Sequence, residues 1–151
     1  MVTPIKLEDL CAEIKTNAGC QCEVYDGVHG DHTLSITPDQ LKPVIDVIFK
    51  TFDYCHLSAI TVQQRKNQPD EIEVFYNFWS GFGFSLLLRL PMKSAKLPSI
   101  ISTIPGADFY EREAAEMFGI EFTGRDETPP LLLPDEWDQG PPFIGEKEKN
   151  G

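Results

Sequence analysis

Cys20, Cys22, His29 and His32 are the residues of this chain whose types suit metal chemistry, since thiolates and imidazoles are the usual ligands of zinc. Their spacing argues the other way. C-x-C is tighter than the C-x2-4-C of structural zinc sites, and alternation already accounts for Cys20, Cys22 and His32 as same-face residues of two strands. No C-x2-C-x2-C run offers an iron-sulfur cluster its ligands, and Cys55 lies far off in sequence. The paired acids Glu111 with Glu113 and Asp135 with Glu136 have the type needed for acid-base work, yet no His or Lys is placed with them. No glycine-rich loop precedes a helix, and there is no G-x-S-x-G or Cys-His arrangement, so nucleotide and nucleophile motifs are not found.

The chemistry that remains is recognition, and it concentrates between Gly106 and Pro134. Pro105 and Gly106 break what precedes, Asp108 suits an N-cap with Glu111 three residues on, and Gly119 suits a left-handed helix end. Tyr110, Ala114, Met117 and Phe118 share one helical face, which places Glu111, Arg112, Glu113 and Glu116 elsewhere on the surface. Asp108, Arg112 and Glu116 follow at i, i+4 spacing, a ridge of one guanidinium between two carboxylates. Such pairs contribute only about 0.2 to 0.5 kcal/mol each on a solvated helix. The ridge is therefore read in two ways: as a solvated face, or as a face docked against another surface, where the planar donor fork of Arg112 meets carboxylates or carbonyls.

These residues carry a resemblance. Glu111-Arg112-Glu113, two residues, Glu116 and Met117-Phe118 resemble the signature of the thirty-kilodalton (C) subunit of respiratory complex I and its relatives in membrane-bound nickel-iron hydrogenases. Six residues then lead to Arg125, where the family usually carries His or Lys, and Pro129, Leu131 and Leu132 fall at the family's spacing. The similarity runs from about Asp53 to Trp137. Gly124 to Pro130 and Gly140 to Phe143 depart from the family's usual basic tail, which leans toward a hydrogenase-type or divergent complex.

The resemblance implies a non-catalytic scaffold without a cofactor of its own. Its partners would be a large quinone-site or nickel-iron subunit and neighbouring iron-sulfur subunits. The expected interface residues are Glu111, Arg112, Glu113, Glu116, Phe118, Arg125, Leu131, Leu132 and Trp137. From a different class, the chain is a free-standing metal-binding or enzymatic domain using Cys20, Cys22, His29 and His32.

The elements that must position these residues follow from periodicity. Leu7, Leu10, Cys11 and Ile14 mark a first amphipathic helix that ends near Asn17 to Gly19, and alternation over Cys20 to Tyr25 and His32 to Ile36 marks a hairpin with one buried face. Thr37-Pro38-Asp39-Gln40 starts a second helix whose stripe is Leu41, Val44, Ile45, Ile48 and Phe52. Pro43 costs a hydrogen bond if that helix begins at Pro38 and little if it begins nearer Gln40, and both starts stay open. Strands are expected at Tyr54 to Gln63, Ile72 to Phe78 and Phe82 to Leu90, with Ser80-Gly81 as a tight turn and Phe75, Trp79 and Leu87 as an apolar outer face awaiting a cover. Pro98 to Ile104 reads as a single helical turn. The order α-β-β-α-β-β-β-α predicts an α+β fold, helices on one face of a mixed sheet of about five strands. Residues 1–122 form that domain, and 123–151 an extended arm rich in proline and acids, anchored by Leu131 to Leu133, Trp137 and Phe143.

At 151 residues the chain is long enough to bury roughly two thirds of its unfolded surface in one core. The net charge is -11, and from Asp108 onward twelve acids stand against four bases. Phosphate backbones and anionic lipid are thereby disfavoured, and a basic protein partner is favoured. With no apolar run long enough to span a bilayer and no leader-like start, the expected location is the cytoplasmic side of the membrane, held there through partner subunits. Four unevenly spaced cysteines are read as reduced thiols.

Overall fold

The computed structural model describes residues 7–19, 23–26, 32–126, 128–134 and 136–143. In chain order these form α1 (Leu7–Ala18), β1 (Glu23–Asp26), β2 (His32–Ser35), α2 (Leu41–Thr51), β3 (His56–Gln64), β4 (Glu71–Trp79), β5 (Gly83–Pro91), β6 (Lys96–Pro98), α3 (Asp108–Phe118) and β7 (Glu121–Thr123). The larger sheet has the order β1-β2-β5-β4-β3, antiparallel except where β2 runs parallel to β5. This is the expected α+β architecture with a mixed sheet.

Alternation decides which face is covered. Ile72, Val74, Tyr76 and Phe78 stand opposite Leu90, Leu88, Leu86 and Phe84 in the β4–β5 register, and all eight are buried. Against them pack Leu10 and Ile14 of α1, Val44, Ile45 and Ile48 of α2, and Ala107 and Ala114 from α3 and the turn before it. Fully burying a side chain of this size contributes about 1.5 to 3 kcal/mol, so this face is the main source of stability. On the opposite face Leu87 is buried beside its register partner Phe75, while Trp79 stays 47% exposed. The β4–β5 loop turns through Gly81, whose φ of 79° is one that a side chain disfavours.

The Pro43 alternative is resolved by a short 3-10 turn. Pro38–Gln40 form that turn, Thr37 N–H donates to Gln40 Oε1 at 3.0 Å, and α2 proper starts at Leu41. Pro43 therefore lies in the first turn of α2, where a missing N–H costs little.

Several expectations are corrected. His32 is exposed and meets the Phe82 ring edge-on at 6.0 Å, while Thr33, expected on the outer side, is buried, so the hairpin does not simply alternate there. The expected single helical turn stands at Ile100 to Ile104, where Ile104 N–H donates to Ile100 O at 2.8 Å, but Pro98 belongs to β6, which pairs with β7 in a small parallel sheet that strands of three residues are too short to reveal by alternation. Cys11 is disulfide-bonded rather than reduced, because uneven spacing argues against a scaffold of bridges and not against one bridge; Cys55 is free. A further one, Glu111, belongs to the site below. Cys20, Cys22 and His29 lie outside the described residues.

Candidate functional site: the signature helix and the arm it holds

The first link of α3 to the sheet is a break in the ladder. The β3–β4 register shifts between Leu57 and Ala59, and the Ser58 carbonyl, left out of that register, accepts the Tyr110 hydroxyl at 2.8 Å. Asp108 is the first helical residue rather than the N-cap, a position occupied by Ala107 without a side-chain bond. Gly119 ends the helix in the left-handed conformation at φ 74°, its N–H donating to Ala115 O at 3.0 Å.

Glu111 corrects the sequence reading. Instead of lying on the surface it is fully buried, on the same face as Ala107 and Ala114. A buried carboxylate must be satisfied by the chain itself, and here Oε1 accepts the Ser99 hydroxyl at 2.7 Å and Arg125 Nη1 at 3.0 Å, while Oε2 accepts the Ile100 amide at 2.8 Å. Arg125, whose side chain is 9% exposed, pairs with Asp108 as well. Burial works against its charged form, but the hydrogen bonds it donates to both carboxylates prevail and raise its pKa above the ordinary value. The same network fastens the β6 exit, α3 and the root of the arm. Among the described residues the buried hydroxyl of Tyr76 has no hydrogen-bond partner, and its pKa is pushed up by burial and then by the charge of Glu111.

Arg112 and Glu116 also turn inward on their own chain. Arg112 Nη2 donates to Pro129 O at 3.1 Å, and its Nη1 stands 3.8 Å from Asp108. Glu116 accepts three successive arm amides: Leu131, Leu132 at 2.8 Å and Leu133 at 3.4 Å. Burial raises the pKa of this carboxyl, but the three N–H donors and Arg112 outweigh it and hold the group below the usual carboxylate range. Further on, Phe143 N–H donates to Met117 O at 2.8 Å and its ring sits 5.5 Å from that of Phe118. Arg112 and Glu116 of the ridge thus meet the chain's own arm.

What this leaves outside is apolar. Leu132, Trp137 and Phe143 are 53%, 37% and 59% exposed, and Trp137 is fixed by an Nε1 bond to Gly140 O at 2.6 Å. Glu113 and Leu131 are half-buried. Of the expected interface residues the structure gathers Glu111, Arg112, Glu116, Phe118, Arg125, Leu131 and Leu132 around one junction, but Glu111 and Arg125 face inward. Ser99 and Ile100, which complete the junction, carry no sequence signal because their partner Glu111 lies 12 and 11 residues away, whereas Pro129 stands at the family's spacing and only its bond to Arg112 was not legible. No group of three or more His, Cys, Asp or Glu among the described residues is arranged to hold a metal.

The family profile described as "Respiratory-chain NADH dehydrogenase, 30 Kd subunit" matches residues 34–146, which include the whole junction. The chain belongs to this family. Among relatives of this 30 Kd subunit family, it is 32% identical over 104 residues to the C subunit of the F(420)H(2) dehydrogenase of Methanosarcina mazei, covering 67% of this chain and 65% of that one. It is 26% identical over 132 residues to the C subunit of the NADH-quinone oxidoreductase of Rhodobacter capsulatus, covering 84% and 66%. Over 58 residues it is 44% identical to the C/D subunit of the NADH-quinone oxidoreductase of Methylococcus capsulatus, covering 38% of this chain and 10% of that longer one. The chain thus spans a little under two thirds of the length of the first two. Its fold matches a chain of the archaeal membrane-bound sulfane sulfur reductase (TM-score 0.68, 20% identity, 85% and 77% covered) and the trypsin-resistant fragment of Nqo5 (0.66, 20%, 82% and 100%).

Proposed function

We propose that this chain is a non-catalytic scaffold subunit in the peripheral arm of a complex I-like oxidoreductase, docking on the large quinone-site subunit and carrying no redox group itself. The observation that carries the reading is the use made of the signature helix: Arg112 and Glu116 are spent on holding the arm, and the held arm turns Leu132, Trp137 and Phe143 outward. Exposed apolar anchors fixed on a rigid support suit an interface. Two comparisons support it. Relatives of the C/D type join this subunit to another on one polypeptide, which favours adjacency of the two. Relatives also serve complexes named for F(420)H(2) and for NADH, so the shared subunit is better suited to the common frame than to recognising the donor.

The equivalent place in an energy-converting nickel-iron hydrogenase is the second reading, favoured by the departures of Gly124 to Pro130 and Gly140 to Phe143 from the family's usual basic tail. No helix of the described residues is long and apolar enough to cross a membrane. Contact with the membrane is accordingly assigned to partner subunits, with this chain on the cytoplasmic side.

Affinity purification through a tag on this chain tests the reading. The large subunit is expected to co-purify, and Leu132→Asp with Trp137→Ala to reduce its recovery about tenfold or more, as loss of interface anchors does. Unchanged recovery by the double variant overturns the docking surface. Stoichiometric zinc or iron in the purified chain, lost on Cys22→Ser, favours the metal-domain class instead.

A further inference from the structure

Consecutive residues of one helical turn hold both ends of the arm's outer loop. Glu116 accepts the amides of Leu131, Leu132 and Leu133, and the carbonyl of Met117, the next residue, accepts the Phe143 amide at 2.8 Å while Phe118 meets the Phe143 ring. The arm therefore leaves the last turn of α3 at Leu133 and returns to it at Phe143. Between these ties, among the described residues, its hydrogen bonds are internal: Trp137 N–H to Pro134 O at 3.0 Å, and Trp137 Nε1 to Gly140 O.

Burial does little to hold this loop. Leu132, Trp137 and Phe143, the side chains that would ordinarily fasten a segment by entering the core, stay exposed. Ordering a backbone costs conformational entropy at every residue, so with its apolar groups turned outward the loop depends on polar ties. Bonds to a charged acceptor are the stronger kind, and one carboxylate supplies three of them. A carboxylate has about four acceptor sites, so Glu116 has little left to offer another chain. Arg112, half-buried beside it, is committed in the same way to Pro129 O and Asp108.

We propose that Glu116, seconded by Arg112, is a positioning residue for subunit docking: it touches no partner, and by holding the arm on α3 it sets the fraction of free chains whose docking surface is already formed. This rests on the docking reading above and changes the part played in it by the signature's charges, which act before the partner arrives. A chain that must first order its arm binds with an apparent affinity reduced by the fraction that is competent, so the clasp strengthens docking without a contact of its own.

The test measures amide exchange in the whole free chain and its affinity for the co-purified large subunit. Glu116→Ala is expected to bring Leu131, Leu132 and Leu133 close to their intrinsic exchange rates, to leave the amides of Leu86 and Leu88 in β5 protected, and to weaken docking about fivefold or more. Glu116→Gln, which keeps one acceptor oxygen, is expected to fall between Glu116→Ala and the native chain in both measurements. The background of Leu132→Asp with Trp137→Ala separates positioning from contact. There Glu116→Ala is expected to weaken docking less than about twofold further, because the surface it holds is gone, whereas a residue touching the partner multiplies the two losses. Unchanged exchange at the three leucines, equal acceleration in β5, unchanged affinity despite faster exchange, or multiplied losses overturns the proposal. Full affinity in the Leu132 and Trp137 variant itself overturns the docking reading and this one with it; weakened docking there with none in Glu116→Ala removes the positioning role alone.

Discussion

Glu111 and Arg125 form a buried pair whose two members differ in what they lose. Removing Arg125 leaves a fully buried carboxylate with two neutral donors and no counter-charge, a change of the kind that costs about 3 to 5 kcal/mol. Arg125→Met is therefore expected to lower the unfolding free energy read from a urea titration by that amount, and Glu111→Gln with Arg125→Met to recover part of it; equal unfolding curves for Arg125→Met and the native chain exclude the pair's role. Glu116 carries a separate prediction. Its folded pKa is depressed, so its contribution is complete above the usual carboxylate range and is lost as pH falls through the lower folded value. Amide exchange at Leu131, Leu132 and Leu133 is expected to accelerate in Glu116→Ala at neutral pH. After correction for intrinsic exchange, the same acceleration is expected in the native chain only below the ordinary carboxylate range. Burial also pushes the Cys55 thiol up to about 11, so its alkylation at pH 8 is expected to be slow until the chain unfolds.

At the scale of elements, α3 is a short helix bound on two sides. Its inner face reaches the sheet through Tyr110 and the Ser58 bulge, and its outer ridge supports the arm. Gly119 sets where it stops, since a left-handed C-terminal residue lets the chain turn into Ile120, which is buried, and on into β7. Gly119→Ala is expected to cost about 1 kcal/mol, read as a lower melting temperature with the fold retained. The helix was legible in the sequence because its start, stop and charge spacing are local. The identity of its buried face was not: Tyr110, Ala114, Met117 and Phe118 make a plausible apolar stripe, and nothing local reveals that Ser99, Ile100 and Arg125 wait to satisfy Glu111.

For the whole molecule, charge and shape act at different ranges. On the docking proposed above, a chain of net charge -11 with its acids concentrated in the last third would steer a basic partner from a distance, while Leu132, Trp137 and Phe143 would act on contact. Association with the large subunit is accordingly expected to slow as salt rises from about 50 to about 500 mM, with a smaller change in dissociation rate, measurable by surface-based kinetics. A salt-independent association rate contradicts the steering.

By itself the sequence determined the class of fold, because alternation in β4 and β5 and the stripe of α2 are imposed by burial at every second or every third to fourth residue. It also determined the family, because the spacing from Glu111 to Leu132 is written in consecutive positions. Tertiary structure alone decided the direction in which the signature's charges point. A carboxylate on a helix looks solvated until a serine, an amide and an arginine from elsewhere in the chain close over it, and those contacts depend on folding rather than on spacing.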